Sequence, residues 1–113
     1  MAIPHAESGQ IIDIRPLGER LKSAVTTTLV KTDHLEVIRL VLPAGKEIPP
    51  HKAPHEITVQ CLEGVVNFTS GERTQMLEAG QLMYLRSEEL HALTAVEDSS
   101  VLVTILLKKK PQP

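Results

Sequence analysis

Five histidines, one cysteine and one tyrosine are the side chains with the most chemical reach in this sequence. Three of the histidines stand in two short stretches: His51 and His55 in GKEIPPHKAPHEITVQCLEG (45–64), and His91 in GQLMYLRSEELHAL (80–93). Imidazole can ligate a transition metal, carry a proton near neutral pH, or hydrogen-bond within a pocket. If the chain is extended through the first stretch, His51, Ala53, His55 and Ile57 share one face. Glu56 then faces the other way and could join them only through a bulge or a slip. Pro49, Pro50 and Pro54 fix φ and stiffen the segment that presents the histidines. Cys61 has the same inward parity as Val59, which suits a buried structural thiol better than a ligand or redox centre. Tyr84, the only phenol, lies with Met83 on the segment leading to His91, where a core or rim position competes with substrate contact. His5 and His34 stand apart from both stretches and read as surface residues.

The elements that must position these groups are strands. Val, Ile and Thr make up 27 of the 113 residues and occur in short bursts. The bursts are Ala24–Thr32, His34–Leu42, Ile57–Leu62, Val65–Thr69, Arg73–Glu78, Gln81–Leu85, His91–Val96 and Val101–Leu107, separated by Gly, Pro, Asp and Ser turn signals. With no long segment of helical period between them, they predict an all-β, antiparallel sandwich or barrel. The one helical candidate is Leu17–Lys22, which reads equally as a loop. The chain is read as a single domain over 1–113, with a barrel over about 24–107, an N-terminal arm over 1–23 and a solvated basic tail over 108–113. Within His34–Leu42 neither face is cleanly polar, the pattern of a strand covered on both sides.

Composition excludes several partners. Twelve Lys and Arg against 14 Asp and Glu give a net charge of −2, and the chain has no Trp, one Tyr and one Phe. It therefore has neither a basic surface nor a stacking platform for nucleic acid. No apolar run approaches the roughly 20 residues needed to span a bilayer, and Met1–Gln10 lack the apolar block of a signal peptide. A cytoplasmic location is expected. The lone Cys61 permits no intrachain disulfide, and a chain of this length can hold one core without one.

The spacing of the two stretches resembles the paired motifs of the cupin superfamily, G-x5-H-x-H-x3-E-x6-G and G-x5-P-x-G-x2-H-x3-N. Gly45, His51 and Gly64 match the first, and Gly80 and His91 the second, with no gap. The 15 residues Val65–Ala79 match the short spacer of small members. The resemblance runs from about Thr26 to Leu107 and implies a jelly-roll barrel, or double-stranded β-helix, with a pocket for a small molecule. The sequence departs from the motifs at Ala53 and Ile57, where the second histidine and the glutamate of the usual metal set would stand. It departs also at Arg86, Glu88 and Ala95. His55 is a candidate replacement, so the resemblance implies metal ligation by His51, His55 and His91. Three imidazoles with open positions suit Zn, Fe, Ni or Cu rather than Mg or Ca, with Mn as a further candidate; no nucleotide cofactor is expected.

The implied pocket is small and mostly apolar, with Ala53, Ile57, Val59 and Tyr84 as candidate lining. Arg39, on a face with Val37 and Val41, is either an anchor for an anionic ligand group or a surface residue. Three functions stay open: a metal-dependent oxygenase or isomerase, a non-catalytic binding or sensor cupin that lost its metal site, and a metal-free isomerase using His51 and Tyr84. A homodimer is expected, because the His34–Leu42 strand together with Ile11, Ile12 and Ile14 offers more apolar surface than one small barrel covers.

Overall fold

A computed structural model describes residues 5–107, so the basic tail lies outside the described residues. Nine strands form: β1 (Thr27–Lys31), β2 (Leu35–Leu42), β3 (Glu47–His51), β4 (Ile57–Glu63), β5 (Val65–Ser70), β6 (Arg73–Glu78), β7 (Leu82–Leu85), β8 (His91–Ala95) and β9 (Ser99–Leu106). They make a five-stranded sheet, β1-β2-β9-β4-β7, and a four-stranded sheet, β3-β8-β5-β6, with every pairing antiparallel. The all-β antiparallel architecture is as the sequence predicts.

Two-residue alternation builds the core between the sheets. Ile57, Val59 and Cys61 point inward from β4, Val66 and Phe68 from β5, and Leu93 and Ala95 from β8, all of them buried. Each large apolar side chain buried in this way contributes about 1.5–3 kcal/mol. Gly64 turns the chain sharply between β4 and β5 at φ 84°, and a Cβ there would overlap Ser99 Oγ and the Asp98 carbonyl oxygen. Only glycine fits that corner.

The structure departs from the expected elements in three places. The segment Glu47–His51, which lies outside the predicted strands and contains two prolines, forms β3. It can do so because β3 is the edge of its sheet, where a residue without an N–H leaves no internal ladder bond unmade. The extended run expected from His51 to Ile57 ends at His51, and residues 52–56 are irregular. The helical candidate is a 3-10 helix, Gly18–Ser23, with Leu21 as its buried residue. No helix among the described residues is long and apolar enough to cross a membrane.

Candidate functional site

The histidines that meet are His51 and His91. They are register partners on β3 and β8, with ring centroids 4.2 Å apart and planes inclined at 61°. A bulge makes this possible. Between Ile48 and His51 the chain advances three residues while its partner advances two, from Leu93 to His91. The extra residue, in the Pro49-Pro50 pair, resets the alternation so that Ile48 and His51 both line the interior cavity.

Each imidazole is oriented by the same local contact. His51 Nδ1 lies 3.0 Å from the Pro49 carbonyl oxygen, and His91 Nδ1 lies 2.9 Å from that of Glu89, in both cases two residues back. A carbonyl can only accept, so each Nδ1 carries the hydrogen. In the neutral ring the lone pair is then on Nε2. Burial pushes His91 below the ordinary histidine pKa; the Glu89 carbonyl opposes that shift and the neighbouring His51 adds to it. Phe68 stacks on His91 at 5.8 Å, 10° from parallel.

These rings open onto a cavity of about 260 Å³. Ala53, Ile57 and Val59 line it, as the sequence reading expected. Ile38 and Leu40 of β2, Phe68 of β5, and Val103 and Ile105 of β9 complete the wall together with Ile48 and Leu93. Phe68 and the β2 and β9 residues were not among the expected lining. The signal for them is the alternation V-V-N-F in β5 and the apolar positions flanking Arg39 in β2.

Three expected site residues lie elsewhere. His55 falls in the irregular 52–56 segment and is not part of the cavity wall. The parity that would have aligned it with His51 is lost where β3 ends. Tyr84 is on the outer face of β7, 59% exposed, and donates to the Glu56 carboxylate; its neighbour Met83 is the one that packs against the core. An acid–base pair of His51 and Tyr84 is therefore not assembled in the cavity. Arg39 points away from Ile38 and Leu40 and is buried beneath the N-terminal arm. Its Nη2 donates to Glu63 Oε2 (3.0 Å), Ser100 Oγ (3.1 Å) and the Arg15 carbonyl (2.9 Å).

Glu63 is the hub of that second cluster, and it was not singled out in the sequence. It accepts the Leu17 and Gly18 N–H groups and the Ser100 hydroxyl as well as Arg39. Burial would raise its carboxyl, but these donors hold it below the ordinary glutamate value. The cluster fastens the arm to the sheet and is remote in role from the cavity.

Among the described residues, no group of three or more His, Cys, Asp or Glu side chains is arranged to hold a metal. Two imidazoles in an otherwise apolar wall, with no carboxylate, do not make up the three protein ligands usual for an open transition-metal site. The residues that come together therefore do not fit a resident metal.

A family model described as Cupin domain matches residues 38–107. Solved structures agree in fold. A conserved protein of unknown function from Streptococcus pyogenes is similar over 97% of each chain, with 24% identity and a TM-score of 0.75. A cupin superfamily protein from Desulfitobacterium hafniense is similar over 91% of this chain and all of its own, with 14% identity and the same TM-score. KdgF from a Halomonas species is similar over 75% of this chain and 79% of its own, with 16% identity and a TM-score of 0.68. No curated protein matches the sequence.

Proposed function

The chain belongs to the cupin-domain family, and from that premise we propose that it is a binding cupin whose cavity takes a compact, largely apolar organic molecule without a resident metal. The observation that carries this reading is the cavity itself: about 260 Å³, walled by aliphatic side chains and Phe68, with His51 and His91 as its only polar side chains among the described residues. An apolar cavity of roughly 150 Å³ already holds a benzene ring, so the volume suits a single ring bearing one functional group. Ala53, half-buried on the irregular segment, is the point at which to close it. Methylcyclohexane titrated by NMR is expected to shift the Phe68, Val103 and His91 signals in the native protein and to do so at least tenfold more weakly in Ala53→Leu. Binding that ignores Ala53→Leu, or no binding at all, would overturn the reading.

A second reading, metal ligation by His51, His55 and His91, is favoured by one observation. Donation of Nδ1–H to a backbone carbonyl is also how proteins orient metal-ligating histidines. It requires His55 to leave its present position. Protein reconstituted with Zn, Fe, Ni, Cu or Mn separately is expected to retain under a tenth of an equivalent after gel filtration; half an equivalent or more, lost in His55→Ala, would establish the metal reading instead.

We further propose a cytoplasmic homodimer. Leu82, Tyr84 and Leu106 are 64%, 59% and 45% exposed, on β7 and β9 of the five-stranded sheet. With Thr58 and Gln60 of β4 between them, they form a partly apolar face, for which we propose a second copy of the chain as the partner. Sedimentation at micromolar concentration should give twice the chain mass, and Leu82→Glu should halve it.

A further inference from the structure

We infer that the cavity selects ligands by hydrogen-bond direction, taking a neutral molecule with a hydroxyl or N–H donor and rejecting one of the same shape that can only accept. This rests on the cavity reading above and adds the chemical class of the ligand. The observation is the duplicated contact on the two rings: His51 Nδ1 to the Pro49 carbonyl and His91 Nδ1 to the Glu89 carbonyl. With both Nδ1 hydrogens committed to backbone, the neutral rings retain only Nε2 lone pairs.

The two rings cannot satisfy each other, although their centroids are 4.2 Å apart. A bond between them needs a donor on one side, and neither has one to spare in the neutral form. Among the described residues, no other lining side chain carries a polar group. Among the described residues, the side chains of the cavity thus hold two acceptors and no donor; His91, 5% exposed, is in surroundings where an unmatched polar atom is costly, while His51 is at the exposed rim.

The consequence differs for each ligand type. A hydroxyl entering the cavity donates to one Nε2 and recovers the hydrogen bond it lost from water. A ketone oxygen brings a third acceptor among acceptors and recovers nothing. A carboxylate adds a full negative charge to the same lone pairs without a cation to meet it, since Arg39 is bound up with Glu63 on the other face of β2. An ammonium group has the right direction but would enter an apolar wall with no carboxylate partner. A neutral alcohol, phenol or amide N–H is the class that remains.

Cyclohexanol, cyclohexanone and cyclohexanecarboxylate, with methylcyclohexane as the hydrocarbon reference, share a ring and differ in the attached group. At pH 8, NMR titration of the native protein is expected to give a Kd for cyclohexanol at least tenfold below those for cyclohexanone and the carboxylate. In His91→Phe the gap between alcohol and ketone should shrink to within twofold while methylcyclohexane still binds; His51→Phe provides the same comparison at the exposed rim. If cyclohexanone or the carboxylate binds the native protein within twofold of cyclohexanol, donor selection is wrong and the cavity reading stands. If neither methylcyclohexane nor cyclohexanol binds, the cavity reading fails and this inference falls with it.

Discussion

His51 and His91 face each other across the β3–β8 ladder, and each donates its Nδ1 hydrogen to the carbonyl two residues before it. Two rings on different strands thus arrive at one tautomer by the same local device. His91 is the buried member, 5% exposed and stacked on Phe68, and His51 is at the exposed rim.

That difference in burial makes the fold sensitive to acid. The folded His91 titrates below the ordinary value of 6.5, so the folded state binds fewer protons than the unfolded one as pH falls through that range. His91 therefore contributes its full stability above pH 6.5 and loses it progressively as pH drops toward its folded value. Urea unfolding at pH 7.5, 6.5 and 5.5 should show a falling midpoint. In His91→Phe the decline over this interval should be shallower. An equal slope in both proteins would rule out His91 as its source.

The corner at Gly64 should tolerate no side chain. Gly64 and Gly71 both have positive φ, 84° and 61°, but a Cβ at Gly71 meets nothing within 4 Å whereas one at Gly64 runs into Ser99 and Asp98. Left-handed backbone alone costs a non-glycine residue about 1–2 kcal/mol, and overpacking adds about 1–3 kcal/mol. Gly64→Ala is expected to lose roughly 3 kcal/mol of unfolding free energy and Gly71→Ala about 1. Equal losses would mean that backbone conformation, and not the close approach to Ser99, governs the site.

Much of this arrangement can be read in the chain because it depends on short-range spacing. Strand composition and alternation account for eight of the nine strands, and the match of Gly45, His51, Gly80 and His91 to the cupin motifs picks out the two rings that meet, with His55 added by parity. What escaped is non-local or depends on a local irregularity. Pro49 and Pro50 argue against a strand unless that strand is an edge, and edge position is a property of the whole sheet. His55 shares parity with His51 only if the chain stays extended, which it does not beyond His51. Arg39 reads as a ligand anchor or a surface residue because its partner Glu63 and the arm carbonyl of Arg15 are both 24 residues away from it. Tyr84 has the outward parity of β7, a fact fixed by Met83 packing inward.

Glu88 preserves a backbone conformation without the residue best suited to it. It is the one described non-glycine residue with positive φ, 63°, and it stands where the second motif has a glycine. Its N–H donates to the Ala53 carbonyl at 2.8 Å, joining the segment after His51 to the loop before His91. Glu88→Gly keeps that bond and removes the steric cost of about 1–2 kcal/mol, against a loss of up to about 1 kcal/mol from the greater freedom of glycine when unfolded. Thermal unfolding should show Glu88→Gly as stable as the native protein or more so. A clear loss would assign the Glu88 side chain a contact of its own.

The Arg39–Glu63 cluster makes the arm depend on two side chains. Both are largely buried, at 8% and 12% side-chain exposure, and Glu63 accepts backbone N–H groups from Leu17 and Gly18, 46 and 45 residues away. Arg39→Met removes the cation and leaves the carboxylate buried with too few donors, a change that costs roughly 3 kcal/mol or more for a buried pair. Glu63→Gln retains the shape but weakens each bond to the arm by removing the charge. Because the folded Glu63 titrates below its ordinary 4.5, its contribution is present above that pH and fades as pH falls below it. Limited proteolysis at pH 7 should cut residues 5–26 faster in both variants than in the native protein, with the cavity's affinity for cyclohexanol unchanged because Arg39 and the cavity lie on opposite faces of β2. Loss of cyclohexanol binding in a folded Glu63→Gln protein would show instead that the arm and the cavity are coupled through β2 and β4.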